Sequence, residues 1–552
     1  MESRQLSLLP TEEEEDRRID AEHAAPPSPP REAGSETEAL SGRSLVALWA
    51  VALVPRFYYL FALSNPENAG DGWYGDTYHH WQIAYLTKEI GLSAPGGPRL
   101  WDLKGLEYFW GVLHPLLLVG LFYFTGSIDI IVARLVSLFF GALVVVLIFL
   151  LCRRYWGSWV AAAAAGFAAL APTSIFNDGS GMLEPLGVAF CLLGIWLWPK
   201  RGVWTGVAWA LASMARAEAW IFSLGLVVAT FLRKEEVRNR LPMLLAWAAG
   251  MLLYMKVMLD ATGNPIYPVW WNFLANAYGR WEFRPQLTPE QVAVRPVLGV
   301  LLALAAAGLA WTLWKRPRGY LLLTFGFGYW VFATGMLGFT AYLKSWESWF
   351  WMIRFWAFPY EFLAVIAAVA LFSRLARPLA LGVVAAALIA VQVEWVPILA
   401  QYHTTDQTWS QSVESGRYLG ELYNRAEYRG GALNLPPDKP ALTYTLARYG
   451  RVEGKHLVGQ LYDPFYYLPA GYAYADHPQA AGTLLECWLD KTGTRLWAVD
   501  RQSTNYIQFV GDHPEWFQKV GEIEIYDWTI YGVSVPRPAQ ADCQAAARAA
   551  GR

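Results

Sequence analysis

The sequence predicts a polytopic α-helical membrane protein of about eleven spans, followed by a C-terminal extracytoplasmic α/β domain. Three observations predict it. Of 552 residues, 55% are hydrophobic and only 16% are charged, against roughly 25% charged in a typical soluble protein, and the mean hydropathy is +0.24. Apolar runs long enough to cross a bilayer, about 18–24 residues each, recur from Leu45 to Val396. After Val396 the pattern changes to short apolar or alternating runs of strand length, such as R-L-W-A-V (495–499), G-E-I-E-I-Y (521–526) and W-T-I-Y-G-V (528–533). A net charge of −2 gives no signature of a nucleic-acid partner.

Residues 1–43 are acidic and Pro-rich (T-E-E-E-E-D at 11–16, A-P-P-S-P-P at 25–30) and read as a disordered cytoplasmic tail. They lack the n-region and h-region of a cleavable signal peptide, so the first span acts as its own insertion signal. Spans fall at 44–63, 128–151, 158–175, 183–198, 203–216, 217–232, 241–259, 294–314, 320–341, 355–373 and 378–396. The apolar segment 111–125 is too short to cross and is interrupted by His114-Pro115. If it does not cross, Arg153-Arg154, Lys200-Arg201, the 233–240 loop, Lys315-Arg316 with Arg318, and Arg374 with Arg377 all face the cytoplasm. The segment is therefore a re-entrant or interfacial helix, with the N-terminus inside and the C-terminus outside.

The expected domains are the 1–43 tail, a transmembrane domain over 44–400 with outer loop 64–127, and an extracytoplasmic domain over 401–552. The folded part of the last is placed at 403–540, with D-H-P-E-W-F-Q-K-V (512–520) as a short helix capped by Asp512 and a frayed end beyond. Cys152, Cys191, Cys487 and Cys543 form no metal-binding spacing; Cys487 and Cys543 can pair if the tail is extracytoplasmic.

This topology gathers the unexplained polar residues on the outer face. G-D-G-W-Y-G-D-T-Y-H-H-W-Q (70–82) carries Asp71, Asp76, His79 and His80 just past the first span. A partly shielded carboxylate there can take a proton from a hydroxyl, Asp76 first and Asp71 second. His79 and His80 are phosphate or metal ligands, or an interfacial pair opening a helix. Asp178 and Glu184 flank a glycine turn (T-S-I-F-N-D-G-S-G-M-L-E-P-L-G), suited to a sugar or a metal, with helix capping by Asp178 as the plain alternative. Arg216 and Glu218 lie at the tip of a short hairpin and can pair with each other. Arg56 and Arg354, inside or beside apolar spans, require an anion such as a phosphate, unless they snorkel to the interface. The aromatic loop 260–293, with Tyr267 and Trp271, can cover a lipid-linked substrate or simply belong to an aromatic belt.

Together these motifs resemble the GT-C superfamily of polyprenyl-phosphate-sugar-dependent integral membrane glycosyltransferases. The resemblance rests on Arg56 before a long outer loop with Gly75-Asp76-Thr77-Tyr78-His79, on the H-P-L helix and on Ala133-Arg134-Leu135-Val136-Ser137. It continues in M-L-E-P-L (182–186) and Arg216-Ala217-Glu218-Ala219-Trp220, and covers about 44–400. It implies an inverting transfer of a sugar from a polyprenyl-phosphate donor to a glycan, lipid or protein acceptor at the outer face of the bilayer. By the resemblance Asp76 is the general base, Asp178 and Glu184 shape the site, and Arg354 meets the donor phosphate. The tail has no W-W-D-x-G, its nearest stretch being Tyr526-Asp527-Trp528, and no acid pair directly follows the first span. This turns the reading away from bulk oligosaccharide transfer to asparagine and toward transfer of one sugar, as in family-39 or aminoarabinose-transferase-like members, with the subfamily and the acceptor left open.

Two alternatives accompany it. One is a metal-dependent oligosaccharyltransferase-like enzyme with Mg²⁺ or Mn²⁺ on Asp76 and Asp178. The other is a transporter or flippase for lipid-linked sugars, disfavoured because Glu394 is the one acid noted within a span and no internal repeat is visible. No other cofactor is expected. The absence of a signal peptide and of a retention motif points to a prokaryotic plasma membrane.

Overall fold

The computed structural model describes residues 41–69, 76–91, 110–232, 237–270, 289–343, 349–401, 406–436, 439–459 and 474–549. Residues 1–40 of the expected N-terminal tail, Asp71 and Trp271 lie outside these residues, and Gly42 and Arg43 of that tail already belong to the first helix. The chain divides into a small unit, Met1–Ala47, and a large one, Leu48–Arg552.

The helices follow the apolar runs. They begin with α1 (Gly42–Tyr58, continued by a π turn over Tyr59–Leu63), α2 (Asp76–Ile90), α3 (Leu113–Thr125), α4 (Ile130–Trp156), α5 (Ser158–Leu170) and α6 (Pro172–Gly179). Then come α7 (Glu184–Leu197), α8 (Gly202–Ala215), α9 (Ala219–Phe231), α10 (Val237–Thr262), α11 (Pro289–Lys315), α12 (Tyr320–Leu343), α13 (Trp349–Arg374) and α14 (Arg377–Gln401). Among the described residues six helices are long and apolar enough to cross a membrane, and a seventh crossing results if α5 and α6, bent by 54° at Pro172, count as one. The other four expected spans are shorter apolar helices. At ~1.5 Å per residue, α7 and α8, of 14 residues each, reach only about 21 Å of the roughly 30 Å hydrocarbon core. The 111–125 segment is the 13-residue helix α3, too short to span as expected. The α4, α5, α7, α12 and α13 helices meet in a core of Leu, Val and Ala, closed by Phe222, Phe325, Tyr329 and Phe358.

The C-terminal domain is a five-stranded sheet clad by helices. It comprises α15 (Asp406–Tyr423), β1 (Ala432–Leu435), α16 (Pro440–Arg448), β2 (Leu457–Gly459), α17 (Pro478–Thr492), β3 (Thr494–Asp500), α18 (Thr504–Asp512), β4 (Phe517–Ile523), β5 (Trp528–Val533) and α19 (Gln540–Ala549). Strand order is β2-β1-β3-β5-β4, with β1 parallel to β2 and β3, and β5 antiparallel to β3 and β4. Alternation along β3 feeds both faces: Leu496 and Ala498 join one core with α15 and α16, while Trp497 and Val499 join another with α17 and α18.

Two expectations fail in this domain. The helix expected over 512–520 is a single 3₁₀ turn at Pro514–Trp516 leading into β4, because Phe517 packs into the sheet core against Trp497 and Tyr531. Asp512 ends α18 and caps nothing. The expected frayed end is instead α19, tied to α17 by a Cys487–Cys543 disulfide.

Candidate active site

Asp76 is the first residue of α2, and the rest of that helix is held on two sides. Toward the bundle, Thr77 Oγ1 donates to the Ser180 carbonyl at 2.7 Å. Toward the C-terminal domain, Gln82 Nε2 donates to Thr443 Oγ1 at 3.0 Å and the Gly454 amide donates to the Tyr85 hydroxyl at 2.9 Å. Trp81 meets Tyr444 edge-on at 4.9 Å, and Tyr78 stacks on Trp409. The Ala69 amide donates to the Tyr78 hydroxyl, tying the end of the preceding loop to the same helix.

From Asp76 a continuous chain of charges runs into the bundle. Asp76 Oδ2 accepts from Arg354 Nη1, and Arg354 Nε donates to Glu184 Oε1. Arg216 Nη2 reaches the same Glu184 oxygen at 3.2 Å, and Arg216 Nε donates to Glu218 Oε1 at 2.7 Å. Each member has a local origin. Arg354 lies in α13, Glu184 opens α7 ahead of Pro185, and Arg216 sits in extended backbone between α8 and α9 with Glu218 two residues on. Phe355 lies under both guanidinium groups. All but Asp76 are buried; the Asp76 side chain is 19% exposed, the outer end of the chain.

A second pair lies behind the first. Arg56 Nε donates to Asp178 Oδ2 at 2.7 Å, and its Nη1 donates to the Ala52 carbonyl. Gly141 on α4 makes this possible: a Cβ there would sit 1.9 Å from the Asp178 carboxylate. Asp178 stands inside α6 and is bound by Arg56, so the capping alternative does not hold. Nor do Arg56 and Arg354 snorkel, since both are buried and carboxylates of the same chain supply their anions. A cavity of about 20 Å³, room for a single water, joins the two pairs and is lined by Ser174, Asn177, Asp178, Glu184, Arg354 and Glu361. Glu361, on α13 and hydrogen-bonded to Ser174, is an acid within a span that the sequence reading passed over in naming only Glu394. A lone carboxylate in the run W-A-F-P-Y-E-F was the available signal.

Arg134, from the A-R-L-x-S motif, is fully buried and serves backbone. It donates to the Gly179 carbonyl at 2.7 Å, the Asn68 carbonyl at 2.9 Å and Ser64 Oγ at 2.8 Å, and to the Asn65 carbonyl. It thereby holds residues 64–68, directly after the first helix, against the α6–α7 turn. Gly181, at φ +85°, completes that turn, and a Cβ there would strike Thr77.

His79 and His80 occupy the next turn of α2. His79 packs near Trp110; His80 meets Trp110 at 4.7 Å and His114 of α3 at 5.4 Å between ring centroids. His80 and His114 are fully buried, and burial, reinforced by the Arg216 charge, holds both well below the usual imidazole range. They are neutral rings beside the charge chain.

Thus Asp76, Glu184, Arg216, Glu218 and Arg354 come together as one network, with Arg56 and Asp178 adjoining it and His79 and His80 beside it. Tyr267 lies in a separate apolar cluster with Tyr254, Trp220 and Met214. Among the described residues no three His, Cys, Asp or Glu are placed to hold one metal ion. Asp76 and Asp178, the pair expected to share Mg²⁺ or Mn²⁺, are each engaged by a different arginine, which does not fit a common ion.

Solved structures similar to this chain are of two kinds. ArnT from Cupriavidus metallidurans bound to undecaprenyl phosphate is 16% identical, covers 91% of this chain and 100% of its own, and gives a TM-score of 0.49. The oligosaccharyltransferase of Archaeoglobus fulgidus tethered with an acceptor peptide is 12% identical over 90% of this chain and 74% of its own, with a TM-score of 0.46. The same archaeal enzyme, AglB, with an inhibitory peptide and a dolichol-phosphate, gives 12% identity over 90% and 75%, with a TM-score of 0.47. No protein-family model and no curated protein matches the chain. At such low identities and TM-scores, the residues of the site carry the functional reading.

Proposed function

We propose that this protein is a membrane glycosyltransferase that moves a sugar from a polyprenyl-phosphate donor to a glycan, lipid or protein acceptor, with inversion. The observation that carries the reading is Asp76 bonded to Arg354, which is itself fixed by Glu184 and Arg216. A proton acceptor and an anion binder thus share one contact, at the partly exposed end of an otherwise buried chain of charges. In the reaction the acceptor hydroxyl gives its proton to Asp76 while its oxygen bonds to the anomeric carbon. The bond from that carbon to the phosphate oxygen breaks, and the electron pair leaves with the phosphate, whose charge Arg354 neutralises. Asp71 is the second candidate base. Glu184, Arg216 and Glu218 act as positioning residues for Arg354, while Arg56 and Asp178 brace the neighbouring turn.

The reading places the site on the extracytoplasmic face, with residues 44–400 as the transferase part crossing the membrane about eleven times and 401–552 as the outer domain. The Cys487–Cys543 pairing supports that side, since disulfides persist in oxidising compartments. Transfer of labelled sugar from a polyprenyl-phosphate donor by the purified protein is the test, wild type beside Asp76→Asn, with and without EDTA. Transfer that survives EDTA and vanishes in the variant is expected. Full activity in Asp76→Asn would remove the site, and loss with EDTA would favour the metal-dependent reading. Glu361, buried inside a span, is the one observation that favours a flippase. Lipid translocation in vesicles without any transfer would support that alternative.

A further inference from the structure

We infer that binding the donor phosphate and freeing the base are one event: the phosphate takes the place of Asp76 on Arg354. The inference rests on the transferase reading and adds an order to it. Arg354 is shared by two acids that are not equivalent. Glu184 is buried, its side chain 4% exposed, and is bound a second time by Arg216 at 3.2 Å. Asp76 is 19% exposed, stands at the end of a helix and has Arg354 as its cation among the described residues. An anion arriving from outside therefore competes with Asp76, not with Glu184. When Asp76 leaves, Arg354 keeps its aim through Glu184 and Phe355.

In the structure one oxygen of Asp76, Oδ2, already accepts from the Arg354 guanidinium. With its charge shared with the guanidinium, the carboxylate is a poorer partner for an acceptor hydroxyl than when it is free. Phosphate on Arg354 releases that oxygen beside the anomeric carbon it must serve. Donor binding then precedes efficient deprotonation, and the acceptor is poorly activated while the donor is absent.

The exchange predicts an outcome opposite to that of a simple binding residue. Removing the Asp76 carboxylate abolishes transfer yet tightens donor-lipid binding, because a competitor for Arg354 is gone. We would measure binding of undecaprenyl phosphate, undecaprenol and inorganic phosphate to detergent-solubilised wild type, Asp76→Asn, Asp76→Ala and Arg354→Gln, each checked for a wild-type melting curve. Both Asp76 variants should bind undecaprenyl phosphate about tenfold tighter than wild type, the scale of one charge-assisted competitor. Arg354→Gln should bind it no better than undecaprenol. The same gain with inorganic phosphate would also support the exchange and would assign the displacing group to the phosphate alone. Wild type and folded Asp76 variants binding equally, both preferring the phosphate lipid over undecaprenol, would overturn the exchange and leave the transferase reading intact. No preference for the phosphate in wild type would overturn the transferase reading and the exchange with it.

Discussion

Toward the helical bundle, α2 and its surroundings present charges: Asp76 on Arg354, then Glu184, Arg216 and Glu218 in series. Toward the C-terminal domain the same helix presents neutral groups: Trp81 against Tyr444, Gln82 on Thr443 and Tyr85 under Gly454. The first face is costly to build, because each buried ion loses hydration that its partner must offset. The second buries aromatic area and satisfies its polar atoms. A fold that needed only stability would use the second kind of contact throughout. On the proposed function, the charges kept on the bundle face serve the chemistry, and the C-terminal domain holds α2 still.

That contrast is broken most directly at its two extremes. Asp76→Asn keeps the size of the side chain and removes the proton acceptor. Its rate of transfer should fall by about 10²–10⁴-fold, the usual contribution of a general base, with little change in melting temperature. A normal rate would mean that the exposed end of the charge chain is structural. Arg216→Met acts deeper in the chain, leaving Glu218 without its partner and Glu184 with Arg354 alone. Removing one member of a buried pair costs about 3–5 kcal/mol, so denaturation in detergent should register a large loss of stability along with activity. A stable but inactive Arg216→Met would instead put that guanidinium at the substrate.

The two imidazoles between the faces give the next largest effect. His80 and His114 are held neutral in the fold by burial, with their folded values below the ordinary one. Below pH ~6.5 the unfolded chain takes up protons at these positions and the folded chain does not. Their contribution to stability is therefore full above that value and declines as pH falls toward their folded values. The melting temperature should drop between pH 7 and pH 5, and less steeply in His114→Met than in wild type. Parallel slopes for the two proteins would show that His114 is not a source of the pH dependence.

The charged face was far more legible in the sequence than the neutral one, for a physical reason. Arg56, Arg216, Glu184 and Arg354 stand out because an ion in or beside an apolar run is expensive and so conspicuous. Their order of contact was not legible. The sequence gives no means of telling that Arg354 would reach both Asp76 and Glu184 across more than 150 residues. Glu361 was missed despite the same kind of signal, and Gly141 could not have been found, since its role is to leave room for a carboxylate from another helix. Strands β3 and β5 follow the apolar or alternating runs at 495–499 and 528–533, whereas the run at 521–526 meets only the end of β4 before a 3₁₀ turn, and D-H-P-E-W opens like a helix until the packing of Phe517 decides otherwise. Nothing in the sequence pairs Gln82 with Thr443, which lie 361 positions apart.

That pair supplies the smallest and most discriminating test of the contrast. Gln82→Ala removes one neutral hydrogen bond from the domain-facing side of α2 and leaves every charged group in place. A bond of this type contributes about 1 kcal/mol net, so the melting temperature should fall by a few degrees while transfer per folded molecule stays at the wild-type level. Thr443→Val should lose a similar amount, and the double variant should lose less than the sum of the two, because both act on one contact. Rates lowered as far as in Asp76→Asn, with only this modest loss of stability, would mean that the C-terminal domain does more than hold α2. The division between a chemical face and a supporting face would then have to be abandoned.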